Sequence, residues 1–217
     1  MATILCLETA TTNCSVTLSV NGSVIAFKED KTPGYSHAEN LHVFIEEVLK
    51  EASIKKEALD AIAISKGPGS YTGLRIGVSA AKGLCYALSI PLLAIETLDV
   101  LAQQVSENVT IVPMLDARRM EVYSAVFNSD KKRIRDTKAE ILNEASFSKY
   151  LENNKVVFIG DAVAKFERIC NHQNASFVEA YPSSLQMVFI AEEKHKISDT
   201  EDVAYFEPYY LKDFVGG

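Results

Sequence analysis

Ser65-Lys66-Gly67-Pro68-Gly69-Ser70-Tyr71-Thr72-Gly73-Leu74-Arg75-Ile76-Gly77 is the stretch on which the fold turns. It follows a short apolar run at 61–65, which reads as a buried strand. A helix of small residues is predicted to follow over about 71–89. Five of the ten glycines lie between Gly67 and Gly83, so the enrichment is local. A strand, a glycine turn and a helix start leave backbone N–H groups facing outward, where an anion can bind. The spacing fits neither common phosphate fingerprint. No Gly-Lys-Ser/Thr ends the stretch, and Gly67, Gly69 and Gly73 give GxGxxxG rather than GxGxxG. The other reading is packing. Gly73, Gly77 and Ala81 recur every four residues and give the helix a shallow face that a neighbour can approach closely. The two readings are compatible.

Working outward, the chain opens with an apolar strand at 3–8 and an alternating strand at 14–20. Asn21-Gly22 is a hairpin turn, and 23–28 returns as a third strand. After the Pro33-Gly34 loop, Ser36-His37-Ala38-Glu39 matches a capping box. Leu41, Phe44, Ile45, Val48, Leu49 and Ala52 then fall on one helical stripe. The strand at 61–65, the helix at 71–89, a strand at 92–95 and a helix at 97–106 complete a first set. The order then restarts, with strands at 109–115, 121–127 and 134–140 and a weak helix at 145–153. A strand at 156–159, a helix at 162–172, a strand at 176–179 and a helix at 183–194 follow. The pattern βββαβαβα thus occurs twice, without residue-level repetition. The seam falls near Glu107-Asn108, giving expected domains at 1–107 and 108–217. Meanders that give way to helix-separated strands imply an α/β fold of mixed sheets covered by helices. Two such halves are the architecture of the actin, sugar kinase and Hsp70 (ASKHA) group.

The chain has 217 residues, 47% hydrophobic and 24% charged, with a net charge of −7. This is ordinary globular composition with an acidic balance, which disfavours broad nucleic-acid or membrane binding. No apolar run approaches membrane-spanning length, and the first residues carry no basic region, so neither an anchor nor a signal peptide is read. Cys6, Cys14, Cys85 and Cys170 lack CxxC spacing and fit reduced thiols of a cytoplasmic protein. His37 and His42 sit five apart, on different sides of one helix, so no metal pair is expected. There is no GxSxG elbow, and no catalytic residue is assigned. Two further stretches can carry chemistry. Glu8-Thr9-Ala10-Thr11-Thr12-Asn13 places a carboxylate and hydroxyls after the first strand, suited to a metal-bound phosphate or to satisfying the turn's own backbone. Arg118 and Arg119 occupy the turn between the first two strands of the second set, suited to an external anion or to an ion pair with Asp116 or Glu121.

Taken together, these stretches resemble the TsaB (YeaZ) family, partners of TsaD-like proteins in making threonylcarbamoyladenosine on tRNA. The resemblance is carried by Ile4-Leu5-Cys6-Leu7-Glu8-Thr9-Ala10-Thr11 and Tyr35-Ser36-His37-Ala38-Glu39-Asn40-Leu41. The 67–77 glycine segment is its most specific part, followed by Asp116-Ala117-Arg118-Arg119 with Glu121-Val122-Tyr123. Pro208-Tyr209-Tyr210-Leu211 is similar to the family's closing motif. The resemblance implies an ASKHA fold and a non-catalytic activator that forms a heterodimer with TsaD and admits tRNA and a TsaE-like ATPase. It implies a homodimer when the chain is alone, and no metal or cofactor except ATP or ADP at an interface shared with partners. Glu8, Thr9, Thr11, Gly67, Gly69 and Ser70 are then a vestigial phosphate site. The partner contact is expected on the first two helices, at His37, Leu41, Phe44, Ile45, Tyr71, Leu74, Arg75 and Val78. Arg118 and Arg119 are expected to meet an anion or tRNA. TsaD-like enzymes carry an HxxxH metal motif on the helix after the next strand, where this chain reads Glu96-Thr97-Leu98-Asp99-Val100-Leu101-Ala102. The alternatives are an ATP-dependent ASKHA transferase using Glu8, Thr11 and Gly69, or a glycoprotease-like peptidase, for which no proteolytic constellation is present.

Overall fold

The structure, a computed structural model, describes residues 2–32 and 37–212. Two compact units form: residues 1–100 with 182–217, and residues 101–181. The seam expected at 107/108 is therefore corrected on both sides, because the last segment of the chain belongs to the first unit.

In the first unit, β1 (Thr3–Glu8), β2 (Cys14–Val20) and β3 (Ser23–Asp30) form the expected meander. It is followed by α1 (His37–Glu51), β4 (Ala61–Gly67), α2 (Tyr71–Leu88) and β5 (Leu92–Glu96). The capping box at Ser36 lies outside the described residues, as does Tyr35. The sheet order is β3-β2-β1-β4-β5. Thr3 pairs with Val20 across the antiparallel β1–β2 ladder, and Ile4 pairs with Ala61 across the parallel β1–β4 ladder.

Because the sheet is covered on both faces, its central strands are apolar at nearly every position. Leu5, Leu7, Val16, Leu18, Ile62 and Ile64 pack with Leu41, Ile45, Val48 and Leu49 of α1 and Val78, Ala81 and Cys85 of α2. Ile4, Cys6, Ala61, Ala63, Leu93 and Ile95 point the other way, with Met187, Val188 and Ala191. Those three residues belong to the helix Met187–Lys196, and a 3₁₀ turn at Ser184–Gln186 precedes it.

In the second unit, α3 (Thr97–Ala102), which straddles the boundary, leads to β6 (Thr110–Asp116), β7 (Glu121–Phe127) and β8 (Arg133–Ile141). Then come α4 (Ser148–Leu151), β9 (Val156–Gly160), α5 (Val163–Glu167) and β10 (Ala175–Glu179). The helix Met187–Lys196 is α6. The second sheet runs β10-β9-β6-β7-β8, the same meander-plus-parallel plan as the first. Two mixed five-stranded sheets flanked by helices make this the ASKHA fold the sequence implied. The helices α4 and α5 are much shorter than the expected 145–153 and 162–172. Each buries a single turn, Leu151 in one and Val163 with Phe166 in the other, so no apolar face holds a longer helix together. An aromatic cluster fills the space instead, with Phe158 and Phe166 at 4.9 Å and Phe147 and Phe158 at 5.5 Å between ring centroids.

Candidate functional site

The glycine segment begins where β4 ends. Gly67 has φ +115°, and a Cβ there would stand 2.7 Å from the Tyr209 carbonyl oxygen, so only glycine lets the closing segment lie across it. The Tyr209 N–H donates to Lys66 O at 2.7 Å. Ser70 is the N-cap of α2, and its hydroxyl accepts from the Gly73 N–H at 3.3 Å.

The turn after β1 presses directly onto this helix. The Ser70 N–H donates to Ala10 O at 2.6 Å. A Cβ on Gly69 would come within 2.8 Å of the Ala10 Cβ, and one on Gly73 would overlap the Thr9 carbonyl. The Thr9 hydroxyl donates to Gly73 O at 2.8 Å. Packing is thus the function of Gly69, Gly73 and Gly77, and their shallow helix face is filled by residues 9 and 10.

This arrangement does not fit a nucleotide phosphate. The Ser70 N–H, an obvious donor for an anion at the helix start, is bound to Ala10. Glu8 is fully buried, accepts from the Ala10 N–H at 2.7 Å and is bonded by the Ser65 hydroxyl. Burial pushes its carboxyl up to about 7, against the hydrogen bonds from Ser65 and Ala10 that hold it down. Thr9 and Thr11 are buried as well, and the Thr11 hydroxyl accepts from the Asn13 N–H at 3.3 Å. The six residues Glu8, Thr9, Thr11, Gly67, Gly69 and Ser70 are brought together, as a closed polar junction rather than an open cradle.

The expected partner residues divide. His37, Leu41, Ile45, Leu74 and Val78 are buried in the first unit and present nothing to a partner, which corrects their placement on an interface. The stripe faces its own sheet because that sheet is the nearest apolar surface. His37 Nε2 donates to Thr11 O at 2.7 Å, and burial lowers the pKa of the ring. Phe44 and Tyr71 are half-buried, and Arg75 is exposed beside Tyr71, its Nη1 donating to the Tyr71 hydroxyl at 2.8 Å.

What α1 and α2 do expose is different. Val43 is 51% and Tyr86 84% exposed, Ser79 and Gly83 are open, and nothing lies within 4 Å of where a Gly83 Cβ would stand. Phe44 and Ile76 border this face, half-buried. The sequence signal was available: Thr72, Arg75, Ser79, Gly83 and Tyr86 recur at helical spacing opposite the apolar stripe.

Arg118 and Arg119 lie in the second unit on the β6–β7 turn, both left-handed at φ 72° and 50°. Both are exposed, and neither guanidinium meets a carboxylate among the described residues, so the ion pair with Asp116 or Glu121 does not form. Asp116 instead accepts from the Arg118 N–H at 2.5 Å and pairs with Lys165 at 2.7 Å. Its own N–H donates to Asp161 at 2.9 Å, and burial raises the Asp161 carboxyl to about 6.

Among the described residues, no three His, Cys, Asp or Glu side chains converge on a metal position, and no helix is long and apolar enough to cross a membrane. Cys6, Cys14 and Cys85 are buried, and burial pushes each thiol up to about 12.

A family model described as TsaD: tRNA N6-adenosine threonylcarbamoyltransferase matches residues 33–214. The chain is 29% identical to the tRNA threonylcarbamoyladenosine biosynthesis protein TsaB of Haemophilus influenzae, over 98% of this chain and 94% of that one. It is 32% identical to the protein of the same name from Escherichia coli over 60% of this chain, spanning 57% of the relative. A crystal structure of an uncharacterized Pseudomonas aeruginosa protein with similarity to the peptidase YEAZ superposes with a TM-score of 0.88. It is 26% identical, and the match covers 98% of this chain and all of that one.

Proposed function

The chain belongs to the family of that model, and within it to the TsaB (YeaZ) proteins; from this premise we propose that, in tRNA threonylcarbamoyladenosine biosynthesis, it is a non-catalytic partner that binds and activates a TsaD-like enzyme. The observation that carries the reading is the uncovered outer face of α1 and α2. Val43, Ser79, Gly83 and Tyr86 offer a shallow surface with Phe44 and Ile76 at its border, and the exposed carboxylates of Glu39, Glu46 and Glu47 flank Val43. Small residues let a partner helix approach closely, and an exposed tyrosine supplies an anchor of the kind interfaces favour.

The closed junction around Glu8 and Ser70 supports the non-catalytic half of the reading, since among the described residues it leaves no open cradle for a phosphate at the start of α2. Without its partner, the same face would meet a second copy of the chain, so homodimer and heterodimer compete. A TsaE-like ATPase and tRNA would join through the assembled complex, and any ATP or ADP would bind only where partners share a surface.

The test is size-exclusion chromatography with light scattering of the chain mixed with its TsaD-like protein at micromolar concentration. Co-elution as a heterodimer is the expected result, lost on Gly83→Arg. Separate elution of the two wild-type proteins overturns the proposal. Saturable binding of Mg-ATP to the chain alone would overturn its non-catalytic half.

A further inference from the structure

The second unit carries a notch that none of the above uses. It lies beside β8, the edge strand of its sheet, where the chain turns through Phe147 into α4. Its volume is about 230 Å³, and Arg135, Lys138, Glu140, Phe147, Lys149 and Tyr150 line it with the small Ala145 and Ser148.

Arg135 is the fixed element. Its guanidinium lies 5.0 Å from the centre of the Phe147 ring, Nη1 meets Glu140 Oε1 at 2.7 Å, and Nη2 donates to the Ser124 hydroxyl. Its Nε–H is buried and has no acceptor among the described residues. A buried donor left without a partner is costly, so the ion pair with Glu140 and the stacking on Phe147 are what hold this guanidinium in place.

The charges around it do not balance. Lys138 reaches the same Glu140 carboxylate at 3.8 Å, and Lys149 sits 4.7 Å from the Tyr150 ring centre with no carboxylate partner among the described residues. Three cations therefore share one acid around aromatic walls. Charged residues on an edge strand also discourage strand-to-strand association. That role does not ask for cations gathered about a cavity with aromatic walls.

The wider distribution says which kind of anion fits. Residues 131–155 hold seven Lys and Arg against four Asp and Glu, while the chain as a whole is at −7. Cations spaced along one strand match a polyanion better than a single small ion. We propose that the notch is a phosphate-binding site by which an RNA strand lies along β8. The Lys149 and Lys138 ammonium groups donate to phosphate oxygens, the Arg135 guanidinium adds charge behind them, and Tyr150 offers a face on which a base can stack. The proposal rests on the TsaB-type reading only in the choice of tRNA as probe.

The test is fluorescence anisotropy of labelled, unmodified tRNA with the full chain, and with its TsaD-like complex, at several salt concentrations. Lys138→Ala with Lys149→Ala is expected to weaken binding about tenfold and to flatten the log-affinity against log-salt slope by about one to two. The charge-matched control Lys55→Ala with Lys56→Ala, in the other unit, is expected to change neither. Binding and slope unchanged in the notch variant, equal losses in the control, or no RNA binding by chain or complex overturns the proposal. Chemical shifts that saturate in the notch with inorganic phosphate but not with RNA assign it to a small anion and overturn it too. A chain that binds tRNA through the notch yet never joins its TsaD-like protein would fail the partner reading while sustaining this one.

Discussion

At the scale of single residues, space and charge around the glycine helix make opposite predictions for neighbouring positions. A methyl group on Gly73 would overlap the Thr9 carbonyl, and one on Gly77 would overlap the Thr9 hydroxyl and stand 2.9 Å from Ile64 Cδ1. Gly73→Ala or Gly77→Ala should therefore destabilise the chain by about 1–3 kcal/mol despite the better helix propensity of alanine. Gly83→Ala meets open space and should stabilise it by about 0.5–1 kcal/mol. Urea unfolding midpoints of the three variants check both signs. Glu8 gives a pH signature. Burial lifts its carboxyl from 4.5 to about 7, so between those values the folded chain keeps a proton that the unfolded chain has lost. Its contribution to stability is full below about pH 4.5 and falls as pH rises to about 7. Glu8→Gln should remove that decline and stabilise the chain at pH 8 by on the order of 2 kcal/mol, read from unfolding curves between pH 5 and 8. The glycine spacing made the packing legible in the sequence. What filled the groove was not legible, because nothing in 65–77 says that residues 9 and 10 come to lie there.

At the scale of elements, the strands were readable because burial on two faces, the Asn21-Gly22 turn and the alternation of 14–20 each leave a local mark. The proposed partner face was legible only as the side opposite the apolar stripe. A stripe such as Leu41, Ile45, Val48 and Leu49 records the surface a helix shares with its own sheet, and all four are buried there. The proposed docking face of Ser79, Gly83 and Tyr86 recurs at helical spacing, but it is not hydrophobic, so the sequence marks it as the side opposite the stripe without marking it as a contact surface. The closing segment is a second element that sequence pattern alone did not place. Lys82 on α2 donates to Ala204 O at 3.1 Å and Phe206 O at 2.8 Å, while Glu201 pairs with Leu92 at the β5 edge. Tyr210 leans on Tyr71 with ring centroids 5.2 Å apart. Lys82→Met should loosen 204–210 by about 1 kcal/mol, giving a roughly fivefold faster amide exchange at Tyr209 with little change in global stability.

At the scale of the whole molecule, the two units differ in charge and in chain continuity. Residues 101–181 carry eleven Lys and Arg and eleven Asp and Glu, so the entire net charge of −7 belongs to the other unit. The repeated βββαβαβα order was visible in the sequence, and it suggested that the second half was continuous. It was misleading because element order does not say which sheet a helix covers, and α6 covers the first. Truncation after Tyr181 removes Met187, Val188 and Ala191 from against Ile4, Cys6, Ala63 and Leu93. The truncated chain should lose its cooperative thermal transition for the first unit, and adding 182–217 back as a fusion to 1–100 should restore it, both followed by calorimetry. The same return of the chain has a consequence in the cell. During synthesis the first sheet keeps one greasy side bare until residues 187–191 have emerged, so a chain interrupted before them would be a substrate for chaperones and proteases rather than a shortened subunit.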